Sequence, residues 1–369
     1  MFSPDTGTNP LRRSRRTRPG SSAVVAAVVL VTGSLAGATG ATAAPGTVAD
    51  PSARTEVAAT AASQVLTATN TFLATLSSSQ KTAVQGTRTQ ANLSKWSNLP
   101  DALFKRAGLR MDSLTSAQQA AVLDILEPAL SDAGYQQVAG ITYGDGVLKA
   151  QGGIDLDFGA DHYWIRILGT PSSTGKWTVQ YGGHHLAVNI TLSGGTMTLG
   201  PTLWGAQPAY YTRSGATIEP LAGETDDAFA VMQSLNSAQQ AAAVLDTPVK
   251  EIVLGAGQDG KTLAYDGVRA STFTAAQKTL LLRLIDEWIS PLNAEQAAEK
   301  LAKAQADLDQ TWFAWSGSTA ADQPVYYRVQ SPAFTIEFAH QQGSGANAGG
   351  TTHIHSIYRE NGNDYGAQD

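Results

Sequence analysis

Four short segments repeat one arrangement of apolar and polar positions: an apolar residue, a Ser, Thr or Asn, two small residues, then Gln. They are Leu76-Ser-Ser-Ser-Gln80, Leu114-Thr-Ser-Ala-Gln118, Leu235-Asn-Ser-Ala-Gln239 and Phe273-Thr-Ala-Ala-Gln277. The polar oxygen at the second position can accept from the orphan N–H groups of a starting helix. The Gln three residues later can reach back to the cap's own N–H. Apolar residues at helical spacing follow, namely Ala121, Val122, Ile125 and Leu126 in one segment and Leu281, Leu284, Ile285 and Trp288 in another. A helix is therefore predicted behind each cap, with the Ala/Glu/Lys/Gln run from Ala294 to Leu308 extending the last.

Elsewhere the period changes from helical to two. One alternating block runs from Tyr163 to Leu199, the other from Val325 to Tyr358. In them Tyr163, Ile165 and Ile167 fall on one face and Arg166 on the other; Trp177, Val179 and Tyr181 oppose Thr178 and Gln180. Phe334, Ile336 and Phe338 form an apolar side opposite Thr335 and Glu337. Tyr163-Trp-Ile-Arg-Ile167 resembles Val325-Tyr-Tyr-Arg-Val329, which matches Arg166 with Arg328 and Gln180 with Glu337. The pattern predicts an α+β class: two helix-plus-antiparallel-sheet halves, 61–210 and 211–369, related as by an internal duplication and forming one domain. Gly200 to Pro208 reads as a connecting loop, with Trp204 expected to plug the core.

The N-terminus changes the picture of where the chain works. Five arginines crowd residues 11–18, a short Ala/Val/Leu run spans Ala23 to Leu35, and Ala41-Thr42-Ala43-Ala44 follows. These are the parts of a secretory signal, 1–43, cleaved near Ala43-Ala44, with 44–60 a flexible leader. Loss of 1–43 removes five Arg and one Asp, so Lys+Arg falls from 25 to 20, Asp+Glu from 31 to 30, and the formal charge becomes −10. That balance speaks against nucleic acid as a partner, and no second apolar stretch predicts stable membrane insertion. There is no cysteine, which removes thiol nucleophiles, Cys-ligated zinc and iron–sulfur clusters.

The candidate chemistry is histidine. His353-Ile354-His355 has the i, i+2 spacing that sends two imidazoles to one face of a strand, with Arg359 later on that face. His184-His185 follows Gly182-Gly183, a pair that permits a bulge able to redirect either ring. His185, His353 and His355 are the expected metal ligands, with His184, His340 or Glu337 as fourth candidates. Imidazole suits Zn, Cu, Fe or Ni alike, so residue type does not choose the ion. Glu337 is a candidate general base, and Arg166 and Arg328 candidate stabilisers of an anionic transition state. Gln180, Asn189, His340, Arg359 and Asp364 are candidate supporting residues. The competing use of the arginines is pairing with Glu337 across strands.

Gly-Gly-His184-His185-Leu-x-x-Asn189, Gly200-Pro…Gly205-x-x-Pro208, Tyr327-Arg328 with Glu337, and His353-Ile-His355-x-x-x-Arg359…Asn363-Asp364-Tyr365-Gly366 together resemble the bacterial "domain of unknown function 3500" family over about residues 60–369. The resemblance implies export, a single domain and these histidines as motif residues, and no activity. The residues themselves favour a secreted metal-dependent hydrolase or oxidase. The rivals are a non-catalytic extracellular protein that binds a metal or small anion, and an envelope protein whose histidines only satisfy one another.

Overall fold

Each predicted cap starts a helix. In the computed structural model Ser77, Thr115, Asn236 and Thr274 accept from the backbone N–H three residues on, and Gln80, Gln118, Gln239 and Gln277 reach back, completing four capping boxes. The described residues are 60–152, 156–321, 323–341 and 350–368; the predicted signal and the leader up to residue 59 lie outside them. The longer helices are α1 (Ala61–Ala74), α2 (Ser78–Val84), α3 (Ser116–Ala129), α4 (Asp132–Gln151), α5 (Ala222–Ser234), α6 (Ser237–Ala243), α7 (Ala275–Ile289) and α8 (Ala294–Ala306). The run from Ala294 does not extend α7: Pro291 disfavours helical backbone before it, and α8 restarts on its own cap, Asn293. No described helix is long and apolar enough to cross a membrane.

The cap glutamines also bind helices to one another. Gln80 bonds Gln118, whose Nε2 reaches Thr75 O at 3.1 Å. Gln239 bonds Gln277, whose Nε2 reaches Ser234 O at 2.7 Å. Buried amides joined in this way leave few orphan groups at the helix starts.

The main strands are β1 (Trp164–Leu168), β2 (Lys176–Gly183), β3 (Leu186–Ser193), β4 (Thr202–Ala206), β5 (Trp312–Gly317), β6 (Val325–Gln330), β7 (Phe334–His340) and β8 (Ile354–Glu360). They lie in the order β1-β2-β3-β4-β8-β7-β6-β5, every neighbouring pair antiparallel, so the strands of the two halves meet where β4 pairs β8 in mid-sheet. Short strands extend the edges; Gln85–Gly86, parallel to β1, makes the sheet mixed. The class is α+β.

Three details differ from the sequence pattern. Thr202–Ala206 is a central strand and not a loop, flanked by cis peptides at Gly200-Pro201 and Gln207-Pro208; Trp204 is fully buried within it, in the core. A further strand, β5, precedes the second alternating block. By position in the sheet β5 therefore answers to β1 and β6 to β2. Gln180 lies opposite Asn189 as Arg328 lies opposite Glu337, so the matches of Arg166 with Arg328 and Gln180 with Glu337 are out of register by one strand.

One face of the sheet packs under the helices, where Ile165, Trp177, Val188, Trp204, Trp315, Tyr327 and Phe338 join α1, α3, α5 and α7 in one apolar cluster. The outer face is covered by two irregular straps, 87–108 and 244–267. There Leu93, Trp96 and Leu254 pack on Leu168, Ala187, Leu203 and Ile357. The polar residues of the alternating blocks lie on this outer face, buried under the straps.

Candidate metal centre

His184 and His185 form the turn between β2 and β3, and its shape comes from close packing. A Cβ at Gly182 would stand 2.4 Å from Leu186 O, and one at Gly183 2.8 Å from His162 O and from the Tyr163 ring. The glycines allow the approach, whereas the redirection falls on His185 itself, whose φ is +63°. That left-handed backbone costs a non-glycine residue roughly 1–2 kcal/mol. It is held by His185 N donating to Asn98 O at 3.0 Å and Gly205 N donating to His185 O at 2.7 Å.

The turned ring meets the other two imidazoles. His185 Nε2 lies 2.7 Å from His353 Nε2, which lies 3.2 Å from His355 Nε2. His355 stands on β8 opposite Gly205, and this glycine makes the room. A Cβ there would sit 3.0 Å from His185 Cδ2, 3.2 Å from its Cβ and 2.8 Å from Ile354 O. Since mid-sheet backbone has little freedom to yield, Gly205→Ala is expected to displace His185 and weaken metal binding by about tenfold or more. Zinc titration against a competing chelator checks this; an unchanged affinity would show that His185 has slack.

Two of the rings have a carboxylate behind them. Glu251 holds His355 Nδ1 with both carboxylate oxygens, at 3.1 and 3.0 Å. A carboxylate accepts, so Nδ1 carries the proton and Nε2 presents its lone pair to the cluster. Asn98 Nδ2 lies 3.4 Å from that same Nε2. His184 Nδ1 meets Asp145 Oδ1 at 2.6 Å, Asp145 Oδ2 accepts from Gly159 N at 2.9 Å, and the His184 ring lies on His185 with centroids 3.7 Å apart. Phe158 covers the other ring contact of His184 at 4.8 Å.

Burial disfavours the imidazolium form of His184, His185 and His353. It holds His184 below the usual range against the pull of Asp145; with repulsion from His184, His353 and His355 it takes His185 well below. The same causes bring His353 to about 2. Neutral rings with convergent Nε2 atoms are metal ligands in waiting. Bonds of about 2.0–2.1 Å at tetrahedral angles put ligand nitrogens about 3.3 Å apart; the His353–His355 spacing of 3.2 Å matches this, and the 2.7 Å between His185 and His353 is an N–H···N hydrogen bond that an ion would replace. The ligand atoms of His185, His353 and His355 all lie within 4.8 Å of one another, as do those of Asp145, His184 and His185. The second trio reads as support, because both oxygens of Asp145 are already satisfied and the two rings stack.

The remaining predicted residues lie elsewhere. His340 shares the helix-side face with Ile336 and Phe338, its Nδ1 accepting from Val325 N at 3.2 Å, so the sheet separates it from the cluster. Burial lowers it to about 4. Glu337, fully buried, accepts from Val253 N, Leu254 N and the Tyr326 hydroxyl at 3.0, 2.7 and 2.6 Å, and burial raises its pKa. Arg166 bonds Asn92, and Arg328 bonds Ala264 O and Asp266. Gln180 bonds Leu93 O and Asn189, whose own amide reaches Pro201 O. Arg359 holds Asp259, Asp364, Leu254 O and Gly255 O, and Asp364 also accepts from Glu360 N. None of these bonds goes to a histidine; they tie the straps and the C-terminal turn to the sheet. Asp145, Glu251 and Asn98 are the neighbours that sequence reasoning missed. Asp145 alone carried a signal, an acid between Gly144 and Gly146 on a helix, where close packing is expected.

The model of a family described as "protein of unknown function (DUF3500)" matches residues 58–367. The chain belongs to this family. Its histidine cluster, from both halves of the matched region, is therefore a feature of one member of a family without an assigned activity. No curated protein and no solved structure matches the chain.

Proposed function

We propose that this is a secreted metal-dependent hydrolase whose ion is held by His185, His353 and His355. The observation that carries the reading is the approach of their three Nε2 atoms from separate parts of the chain. Three neutral ligands leave the charge of a dication uncompensated, which favours acidification of a bound water over simple storage, and three protein ligands are the usual number where a position stays open for chemistry. Around the ion the chain's own groups have distinct tasks. Glu251 fixes the His355 tautomer, Asp145 fixes the His184 ring that backs His185, and the Asn98 amide offers a donor beside the ligand atoms.

The test is metal analysis of protein made without a histidine tag, then cobalt substitution and a chelator-sensitive assay on carboxyl ester, phosphoester and peptide substrates. About one equivalent of a transition metal is expected, with a cobalt spectrum that shifts on adding azide. Less than about a tenth of an equivalent after reconstitution would end the metal reading. Bound cobalt indifferent to azide, with no turnover, would favour a non-catalytic metal-binding protein.

A further inference from the structure

The buried polar residues of the outer face have a joint consequence for the metal centre. Glu337 fixes Val253 N and Leu254 N; Arg359 fixes Leu254 O and Gly255 O and pairs with Asp259. Arg328 and Gln330 hold Ala264 O and Leu263 O, and Ser316 Oγ accepts from Val249 N at 3.0 Å. Every one of these anchors lies within the 244–267 strap, and Glu251 sits between those at Val249 and Val253. Two residues of chain reach at most about 7 Å, so clamping both sides fixes the Glu251 backbone beside His355, and Ile252 N donating to its Oε1 at 2.8 Å helps to aim the carboxylate. The first half does the same. Gln180 and Arg166 hold Leu93 O and Asn92, and that strap brings Asn98 to His355 from the other side.

We propose that Glu337 and Arg359 are positioning residues for the metal centre, acting through Glu251: the sheet grips the strap, and the strap sets the carboxylate that orients His355. This rests on the metal reading above. It also gives a reason for a fully buried carboxylate spent on two backbone N–H groups, a costly arrangement unless well satisfied.

The experiment is a double-mutant cycle on cobalt affinity, measured by chelator competition in the full chain, for wild type, Glu337→Gln, Glu251→Gln and the pair. Each single change is expected to weaken binding by about 10- to 100-fold. The double variant should bind no more weakly than Glu251→Gln alone, because the second change removes a support for a carboxylate already gone. Both singles should show the same altered cobalt absorption, a signature that a general loss of stability would not give. If Glu337→Gln does not fold, Arg359→Lys takes its place in the same cycle; it keeps the charge and loses the fork on Leu254 O and Gly255 O. Independent, multiplying losses, or a positioning variant that binds cobalt like wild type, would overturn the proposal. Wild-type protein that takes up no cobalt would overturn the metal reading beneath it as well.

Discussion

His355→Ala is expected to abolish metal retention while leaving the protein folded. His355 is the hinge of the centre, with Nε2 facing His353 and Asn98 and Nδ1 held by both oxygens of Glu251. Metal binding to four-ligand sites releases about 10–16 kcal/mol, so one ligand among three accounts for about 3 kcal/mol or more, over a hundredfold in affinity. The oriented Glu251 carboxylate loses its purpose with the ring, which adds to the loss.

The cost to folding is smaller for a reason visible at the site. The Glu251 side chain is 39% exposed and can rehydrate once its partner is gone, so no charge is stranded in the interior. Asp145→Leu makes the useful contrast, since it strips the buried His184 of its partner and should lower stability more than metal affinity. Measured together, cobalt affinity and thermal midpoint should fall in opposite order for the two variants. A His355→Ala protein that keeps about one equivalent of metal through dialysis would remove His355 from the ligand set.

How far the sequence foretold this follows from the range of each interaction. The capping boxes join residues three apart, so Thr115 with Gln118 or Asn236 with Gln239 are legible without tertiary knowledge. Strand parity is just as local: it placed His353 with His355, and it put Glu337 on the polar side. It also puts His340 in step with Phe338, yet by sequence His340 stays a fourth candidate; the structure places it on the helix side, with Nδ1 accepting from Val325 N. Parity does not say what covers a polar face. Glu337, Arg166 and Arg328 read as candidates for chemistry because the straps that cover and bond them have no period in their own sequence and were not foreseen. Thr202–Ala206 was hidden by its flanking prolines, which speak of turns even where they bracket a mid-sheet strand. Glu251 and Asn98 stand on irregular segments fixed only by contacts from distant strands, and no local rule reaches them. The meeting of His185 with His353 and His355 depends on β4 pairing with β8, the longest-range pairing between the main strands.

In the metal-free protein, stability is expected to fall steeply between pH 7 and pH 5. The folded-state values of His353 and His340 lie at about 2 and about 4, and those of His184 and His185 are lowered in the same direction, chiefly by burial. A lowered value means the native state binds fewer protons than the unfolded chain. This contribution is complete above the ordinary histidine value of about 6.5 and is lost as pH falls from there toward the folded values. Each such group costs about 1.4 kcal/mol per pH unit within that window. His353 and His340 together thus reach about 4 kcal/mol by pH 5, a ceiling because His353 is partly exposed. Asp364 opposes them: burial raises it to about 6, so its native form gains protons below that point and returns about 1.4 kcal/mol by pH 5. Counted over His353, His340 and Asp364 alone, the loss is on the order of 3 kcal/mol, a large share of the stability of a folded domain. Urea titrations at the two pH values measure it directly, and a midpoint unchanged or higher at pH 5 would contradict the buried, neutral histidines. His340→Gln separates the sources. Its amide oxygen can still accept from Val325 N, and the slope should ease by about 1.4 kcal/mol per pH unit, leaving the residual dependence to the histidine cluster and to Asp364.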